Sequence, residues 1–185
     1  MLQIIIQGRG GQGAQLAGTL LAAAFFAEGR EVQSFSTYGG ARRGTPVSSF
    51  IRVDDKPIRL RCDIERADAV LCFDASLLAG KLLATADAQT LIVVSSRLGA
   101  GHFAATLPRH RVLPVDGLGI AQKNGLGRIV NSALVGALAR AVGAPALETL
   151  DKVIAAEAPK NQRENVAACL EGWRAVDAQL ERVAA

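Results

Sequence analysis

The sequence predicts an α/β fold: an open, mostly parallel sheet with helices on both faces, an inserted β-hairpin and a C-terminal helical segment. Three observations carry that prediction. A short aliphatic segment, a glycine-rich turn and a long helical pattern open the chain in direct succession. Strand-like and helix-like segments then alternate, as a parallel sheet with helical crossovers requires. From Leu126 onward the apolar residues recur at helical spacing. One domain over residues 1–185 is expected, with an α/β core over 1–143 and C-terminal helices over 146–183.

The first strand is Gln3–Gln7, and the turn after it reads Gly8-Arg9-Gly10-Gly11-Gln12-Gly13. Gly8, Gly10 and Gly13 fall on G-x-G-x-x-G spacing, which serves a tight turn, close approach of backbone to a phosphate, and close packing of helix on strand. The helix that follows, about Ala14 to Glu28 with Gly29 closing it, aims its free N–H groups back at the turn and favours an anion there. The opening is therefore Rossmann-like, although such turns also occur with nothing bound. The next strand, Glu31–Ser36, ends in Ser34, Ser36, Thr37 and Tyr38, with no Asp or Glu between Glu31 and Asp54. An NAD site places a carboxylate near that end for the ribose hydroxyls. Its absence counts against NAD.

Thr37 to Pro46 is the least regular stretch, with three glycines, a proline, Tyr38 and the adjacent Arg42 and Arg43. Glycine loses so much freedom on folding that such a loop suits function better than stability. Val47–Val53 and Lys56–Arg61 read as a hairpin around Asp54-Asp55. Asp68–Phe73 is a buried strand, followed by a short helix over 75–84. Thr90–Ser95 and Arg111–Val115 are further strands, and the Gly99 to Arg111 stretch between them is a connection. Ile129, Ala133, Leu134, Ala137 and Leu138 mark a helix running from Leu126 to Gly143-Ala144-Pro145. Residues 146–157 and Gln162–Val183 form the last two helices, the second with Trp173 as a core anchor on its apolar stripe.

Composition narrows the class. At 185 residues, 50% hydrophobic, the chain can bury a core. It has no leader-like N-terminus and no apolar run long enough to span a bilayer, so a cytoplasmic protein without a membrane role is expected. Cys62, Cys72 and Cys169 form no C-x-x-C, so neither zinc nor an iron–sulfur cluster is expected on this chain alone. The net charge of +4 resides in residues 1–61, and arginine outnumbers lysine sixteen to five, which favours planar anion recognition. With one Trp, one Tyr and six Phe and no nucleic-acid motif, a nucleic-acid partner is not expected.

Catalytic constellations are scarce. His102 and His110 lack a patterned nucleophile or carboxylate and read as surface histidines. Asp74 and Asp116 each follow a strand and are expected to cap the next turn or helix. Arg128 and Asn131 lie three apart on the expected helix and could face one partner. What remains is a binding signature: backbone donors from Gly8 to Gly13, with Arg9, Arg42 and Arg43 for phosphates. No catalytic residue and no metal ligand is assigned.

Several stretches together carry a resemblance. Gly8-Arg9-Gly10-Gly11-Gln12-Gly13 matches a G-x-G-G-Q-G motif, Tyr38 to Pro46 a Y/F-G-P-E-x-R-G loop, and Asp55-Lys56-Pro57-Ile58 the hairpin end. Pro114-Val115-Asp116, Arg128-x-x-Asn131 and Lys160-Asn161 through Asn165-Val166 follow in order. Over nearly its whole length the chain resembles the gamma subunit, or gamma domain, of the 2-oxoacid:ferredoxin (acceptor) oxidoreductases, closest to the pyruvate or aryl-oxoacid branches. Gly40-Ala41 stands where many relatives carry Pro-Glu, so no role for that acid transfers.

The resemblance implies a complex that oxidatively decarboxylates a 2-oxoacid and passes the acyl group to coenzyme A (CoA). Thiamine pyrophosphate with Mg²⁺, and 4Fe–4S clusters, would lie in partner alpha, beta and ferredoxin-like delta subunits, with ferredoxin or another acceptor taking the electrons. This chain would help to bind CoA and complete the active-site interface, and would be inactive alone. Its candidate contacts are Gly8, Arg9, Gly10, Gly11, Gln12, Gly13, Tyr38, Arg42, Arg43, Arg128 and Asn131. The alternatives are a free-standing NAD(P)-binding oxidoreductase and a nucleotide-binding regulatory module.

Overall fold

The computed structural model describes residues 1–38 and 44–184. Its sheet contains β1 (Leu2–Arg9), β2 (Glu31–Tyr38), β3 (Pro46–Asp54), β4 (Ala69–Cys72), β5 (Leu91–Ser95) and β6 (Arg111–Val115), in the order β2-β3-β1-β4-β5-β6. β1, β4, β5 and β6 run parallel, whereas β3 is antiparallel to both β1 and β2. Every strand but β3 therefore points the same way, and the sheet is the open, mostly parallel one expected.

Burial on both faces explains why β1 is a continuous aliphatic run rather than an alternating one. Ile4 and Ile6 face a thick layer formed by α1 (Ala14–Ala27), α5 (Asn131–Val142), α6 (Leu147–Glu157) and α7 (Gln162–Ala184). Ile5 faces the other way, with Val70, Ile92 and Val94, onto a thinner cover that includes α2 (Gly80–Ala84) and α3 (Ala100–Thr106). Trp173 packs partly buried against the thick-layer core, as its place on the α7 stripe predicts. No helix among the described residues is long and apolar enough to cross a membrane.

Several local expectations fail for identifiable reasons. The hairpin is β2–β3, paired from Glu31↔Asp54 to Tyr38↔Val47, and Lys56–Arg61 is not a strand. Both edges of β3 are already taken, by β1 and β2, so the chain after Asp54 has no ladder to join. It crosses the sheet face instead. There Gln33 Nε2 donates to Leu60 O (2.6 Å), and the guanidinium of Arg52, 1% exposed, donates to Cys62 O (2.8 Å), Asp63 O (3.2 Å), Gln3 Oε1 (3.1 Å) and Gln33 Oε1 (2.8 Å). The helix expected over 75–84 is a 3-10 turn, Ala75–Leu77, and then α2, broken at Gly80, whose φ of 52° lies in the left-handed region. The Gly99–Arg111 connection contains α3, and Gly117–Lys123 forms α4, a helix the glycines at 117 and 119 obscured in the sequence. Leu126–Val130 are irregular with a turn at Gly127-Arg128, and α5 begins only at Asn131.

Two glycines set the spacing in the thick layer. A Cβ at Gly136 would overlap the carbonyl of Cys169, and one at Gly172 the carbonyl of Ala133. α5 and α7 therefore cross backbone to backbone, a contact any larger residue would pry open.

A glycine turn and two clefts at one edge of the sheet

The parallel strands end along one edge, and the turn after β1 is built from its own groups there. Gln12 N donates to Arg9 O (2.9 Å), while Gln12 Oε1 accepts from Arg9 N (2.6 Å). The Gln12 carbonyl oxygen thus closes the turn rather than facing a ligand. Gly11 and Gly13 have φ of 95° and 89°, which L side chains rarely adopt. Gly8 supplies the close packing, since a Cβ there would sit 3.1 Å from those of Ala14 and Phe73. α1 begins at Gly13 with no side-chain cap and no acidic residue in its first turn. Among the described residues no side chain caps its leading N–H groups at the positive end of its dipole.

Arg9 is employed inside the fold. Its Nε donates to Asp74 Oδ2 (2.7 Å), Nη2 to Ser76 Oγ (2.8 Å) and Nη1 to Gly44 O (3.2 Å). Burial pushes the Asp74 carboxyl up, but hydrogen bonds from Ser76 and Arg9 outweigh it, and the group titrates below its ordinary 3.8. Asp74 also accepts from Ser76 N (3.0 Å), and Asp116 from Gly119 N (2.9 Å), so both aspartates cap as expected. A dinucleotide ribose would need a free carboxylate at a strand end beside β1. The neighbours of β1 are antiparallel β3 and β4, and the acid after β4 is this engaged Asp74.

Two clefts flank the turn. One, of about 430 Å³, has apolar walls including Leu16, Leu20, Ile129, Ala158 and Pro159, and holds Arg128, Asn131 and Lys160. The other, of about 650 Å³, lies over the ends of β4, β5 and β6, with Ser95, Ser96, Arg97, Asp116, Gln122 and Arg128. Gly11, Gln12 and Arg128 line both. Arg128 precedes α5 instead of lying on it, while Asn131 is the first residue of that helix. Separated in this way, they still converge on the turn. A Cβ at Gly13 would lie 3.5 Å from Asn131 Nδ2. Asn131 is 4% exposed, and its Oδ1 is buried without a hydrogen-bond partner among the described residues. An orphaned buried polar atom costs about 1–3 kcal/mol and calls for an explanation.

The structure thus brings Gly8, Arg9, Gly10, Gly11, Gln12, Gly13, Arg128 and Asn131 to one place. Arg42 and Arg43 lie outside the described residues. Tyr38, at the end of β2, and Gly44, after the gap, lead into that segment from the same edge. Gly10 N donates to Thr45 O (2.9 Å), which joins the loop's described flank to the glycine turn. Sequence reasoning gave no role to Lys160, Arg97, Ser95 or Ser96. The serines at least follow from position, at the end of a parallel strand where ligands collect. His102 is exposed on α3, and His110 precedes β6 at the opposite edge.

Two of the three cysteines suit packing. Cys72 and Cys169 are buried, each thiol pushed up to about 12 chiefly by burial, and Cys62 is exposed. Among the described residues no group of three or more His, Cys, Asp or Glu is placed to hold a metal ion.

Comparison with known proteins gives a consistent picture. The pyruvate ferredoxin/flavodoxin oxidoreductase family profile matches residues 3–175. A pyruvate/ketoisovalerate oxidoreductases common subunit gamma from Thermococcus kodakarensis is 38% identical over 158 residues, spanning 83% of this chain and 85% of that one. A pyruvate synthase subunit PorC from Methanocaldococcus jannaschii is also 38% identical over 158 residues, spanning 83% and 84%. The crystal structure of pyruvate oxidoreductase subunit PORC from Thermotoga maritima superposes with a TM-score of 0.81 at 28% identity, covering 94% of this chain and 95% of that chain.

Proposed function

The chain belongs to the pyruvate ferredoxin/flavodoxin oxidoreductase family as a gamma-type subunit, and from that premise we propose that it holds CoA at the glycine turn and completes the active-site interface of a multi-subunit enzyme. The enzyme would oxidatively decarboxylate a 2-oxoacid and transfer the acyl group to the CoA thiol. Thiamine pyrophosphate with Mg²⁺ and 4Fe–4S clusters, carried by alpha, beta and delta partners, would supply decarboxylation and electron transfer to ferredoxin or another acceptor. This chain's own residues bind and orient the thiol carrier, and the isolated chain is inactive.

One observation carries the reading: α1 begins with free N–H groups, no acid and no cap, beside Arg128, which forms no ion pair among the described residues. A pyrophosphate is the ligand chemistry that such a helix end and a guanidinium favour together. The donor side of Asn131, turned toward Gly13, adds a neutral hydrogen-bond donor at the same point.

The test is kinetic, on the complex reconstituted with its thiamine-binding subunits. Arg128→Ala is expected to raise the KM for CoA about tenfold, the value of a charge-assisted hydrogen bond, and to leave CoA-independent decarboxylation unchanged. An unchanged KM, or equal loss of both activities, would overturn the reading.

A further inference from the structure

The open sheet has two edges, and the sequence treats them differently. The β6 edge is five residues long, starts with exposed Arg111 and includes Pro114, which has no N–H to offer. Gln179 Nε2, from α7, donates to Pro114 O (2.9 Å) and occupies that carbonyl. β2, at the other edge, has none of these safeguards. It reads Glu31-Val32-Gln33-Ser34-Phe35-Ser36-Thr37-Tyr38, with no lysine, no proline and no bulge in its register against β3. Among the described residues no hydrogen bond reaches its backbone from outside the sheet. One side of an eight-residue strand is thus left with unpaired N–H and C=O groups, the template to which a further strand adds.

Apolar surface accompanies the open edge on both faces. Phe26, 74% exposed, lies in the last turn of α1, the helix that packs over β2 and β3 and carries no charged side chain from Ala14 to Ala27. On the other face Leu60 is 43% exposed, and its carbonyl accepts from Gln33 Nε2 (2.6 Å), which seats it beside β2. Phe35 is half-buried and stacks on Phe50, with ring centroids 5.0 Å apart and planes 20° from parallel. A strand laid along β2 would extend that row of rings.

We propose that β2 pairs antiparallel with β2 of a second copy of this chain, joining two six-stranded sheets into one across a two-fold axis. Self-complementarity selects this occupant. A two-fold axis normal to the sheet opposes residues of the same face, so one residue must meet its own copy. Centred on Phe35, the axis sets Phe35 against Phe35, Ser34 against Ser36 and Gln33 against Thr37. It also aligns the Phe50 and Phe35 rings of both copies in one row, and aromatic pairs across strands favour such a ladder. Val32 to Tyr38 carries no charge, and the two copies of Glu31 fall at opposite ends of the ladder, so no like charges meet. An edge built for a foreign strand can carry charges which that strand answers; one built for its own copy must be neutral, as β2 is. Because the pairing is antiparallel, the two glycine turns lie at opposite ends of the joint sheet, each free for its own active-site interface. The inference does not depend on CoA as the ligand.

Sedimentation of the whole chain over a concentration series measures the association, and hydrogen–deuterium exchange locates it. A dimer is expected, with the amides over 31–38 exchanging more slowly as concentration rises and those of β6 unchanged. Ser34→Lys with Thr37→Lys adds charge at two exposed side chains of the edge. The double variant is expected to weaken the dimer about tenfold, with far-UV circular dichroism at the parent level. In the complex reconstituted with its partners, two copies of this chain per particle are expected. A monomer at every concentration, or a folded double variant that dimerises as the parent does, would overturn the proposal. So would a dimer whose 31–38 amides exchange at the monomer rate, or protection of β2 that arises only when another subunit is added.

Discussion

Three parallel strands, β1, β4 and β6, end along the same edge of the sheet and run into helical turns, yet they finish differently. After β4 and β6 an aspartate accepts the first free N–H groups, Asp74 from Ser76 and Asp116 from Gly119. After β1 no side chain does so, and α1 starts bare at Gly13. Chain ends that satisfy themselves need only the ordinary N-cap residues. The one left open is also the one beside Arg128, which forms no ion pair among the described residues. The contrast is the reason for proposing the first turn as the place where an outside anion binds.

The most forceful way to break this contrast is to give the open turn what its neighbours have. Gly13→Asp would place a carboxylate at the α1 N-terminus, and aspartate tolerates the left-handed backbone there better than most residues. The KM for CoA is expected to rise about a hundredfold in steady-state assays of the complex, because like charges brought together cost several kcal/mol. A smaller effect is expected from the loop joined to that turn. Arg42→Ala with Arg43→Ala should weaken CoA use about tenfold and spare thiamine-dependent decarboxylation, compared in parallel assays. Asp116→Ala approaches the contrast from the capped side. Thermal unfolding should show a loss of about 1 kcal/mol, and any rise in the KM for CoA should stay well below that of Gly13→Asp.

The smallest effect concerns acid. Asp74 titrates below 3.8 when folded, so its contribution is complete above that value and is lost as the pH falls through the lower folded one. Arg9→Ala removes one cause of the depression and should move the acid limb of unfolding, followed by circular dichroism, to higher pH. With Arg9 40% and Asp74 27% exposed, solvent screening keeps the change below about 1 kcal/mol.

Much of this was legible in the sequence. The aliphatic runs of β1, β4 and β5 and the helical stripe of α7 each follow one periodicity without interruption and form as read, and the stripe of α5 does so from Asn131 onward. The hairpin was misassigned because Lys56–Arg61 has acceptable strand chemistry, whereas what excludes it is the occupancy of both β3 edges, a tertiary fact. Arg128 and Asn131 were joined for the wrong reason, as partners on one helix, yet a turn and a helix start deliver them to the same cleft. Lys160 was visible only as part of a family motif. Its position depends on Ser132 and Asn165, residues 33 apart that no local pattern connects. The use of Arg9 and Gln12 inside the turn was equally invisible, since a hydrogen-bonding side chain in a glycine-rich segment reads the same whether it serves a ligand or the backbone.

The reversal of β3 has an effect on how such a chain can vary. Because β2 runs toward the edge that carries the glycine turn and β3 away from it, the described flanks of the link, Tyr38 and Gly44, lie at that edge whatever the link's length. Residues can be inserted or removed there while both strand ladders keep their registers. The anchor points of that link are thus hard-wired by topology, so related chains could be fitted to different neighbours by trimming one hairpin tip.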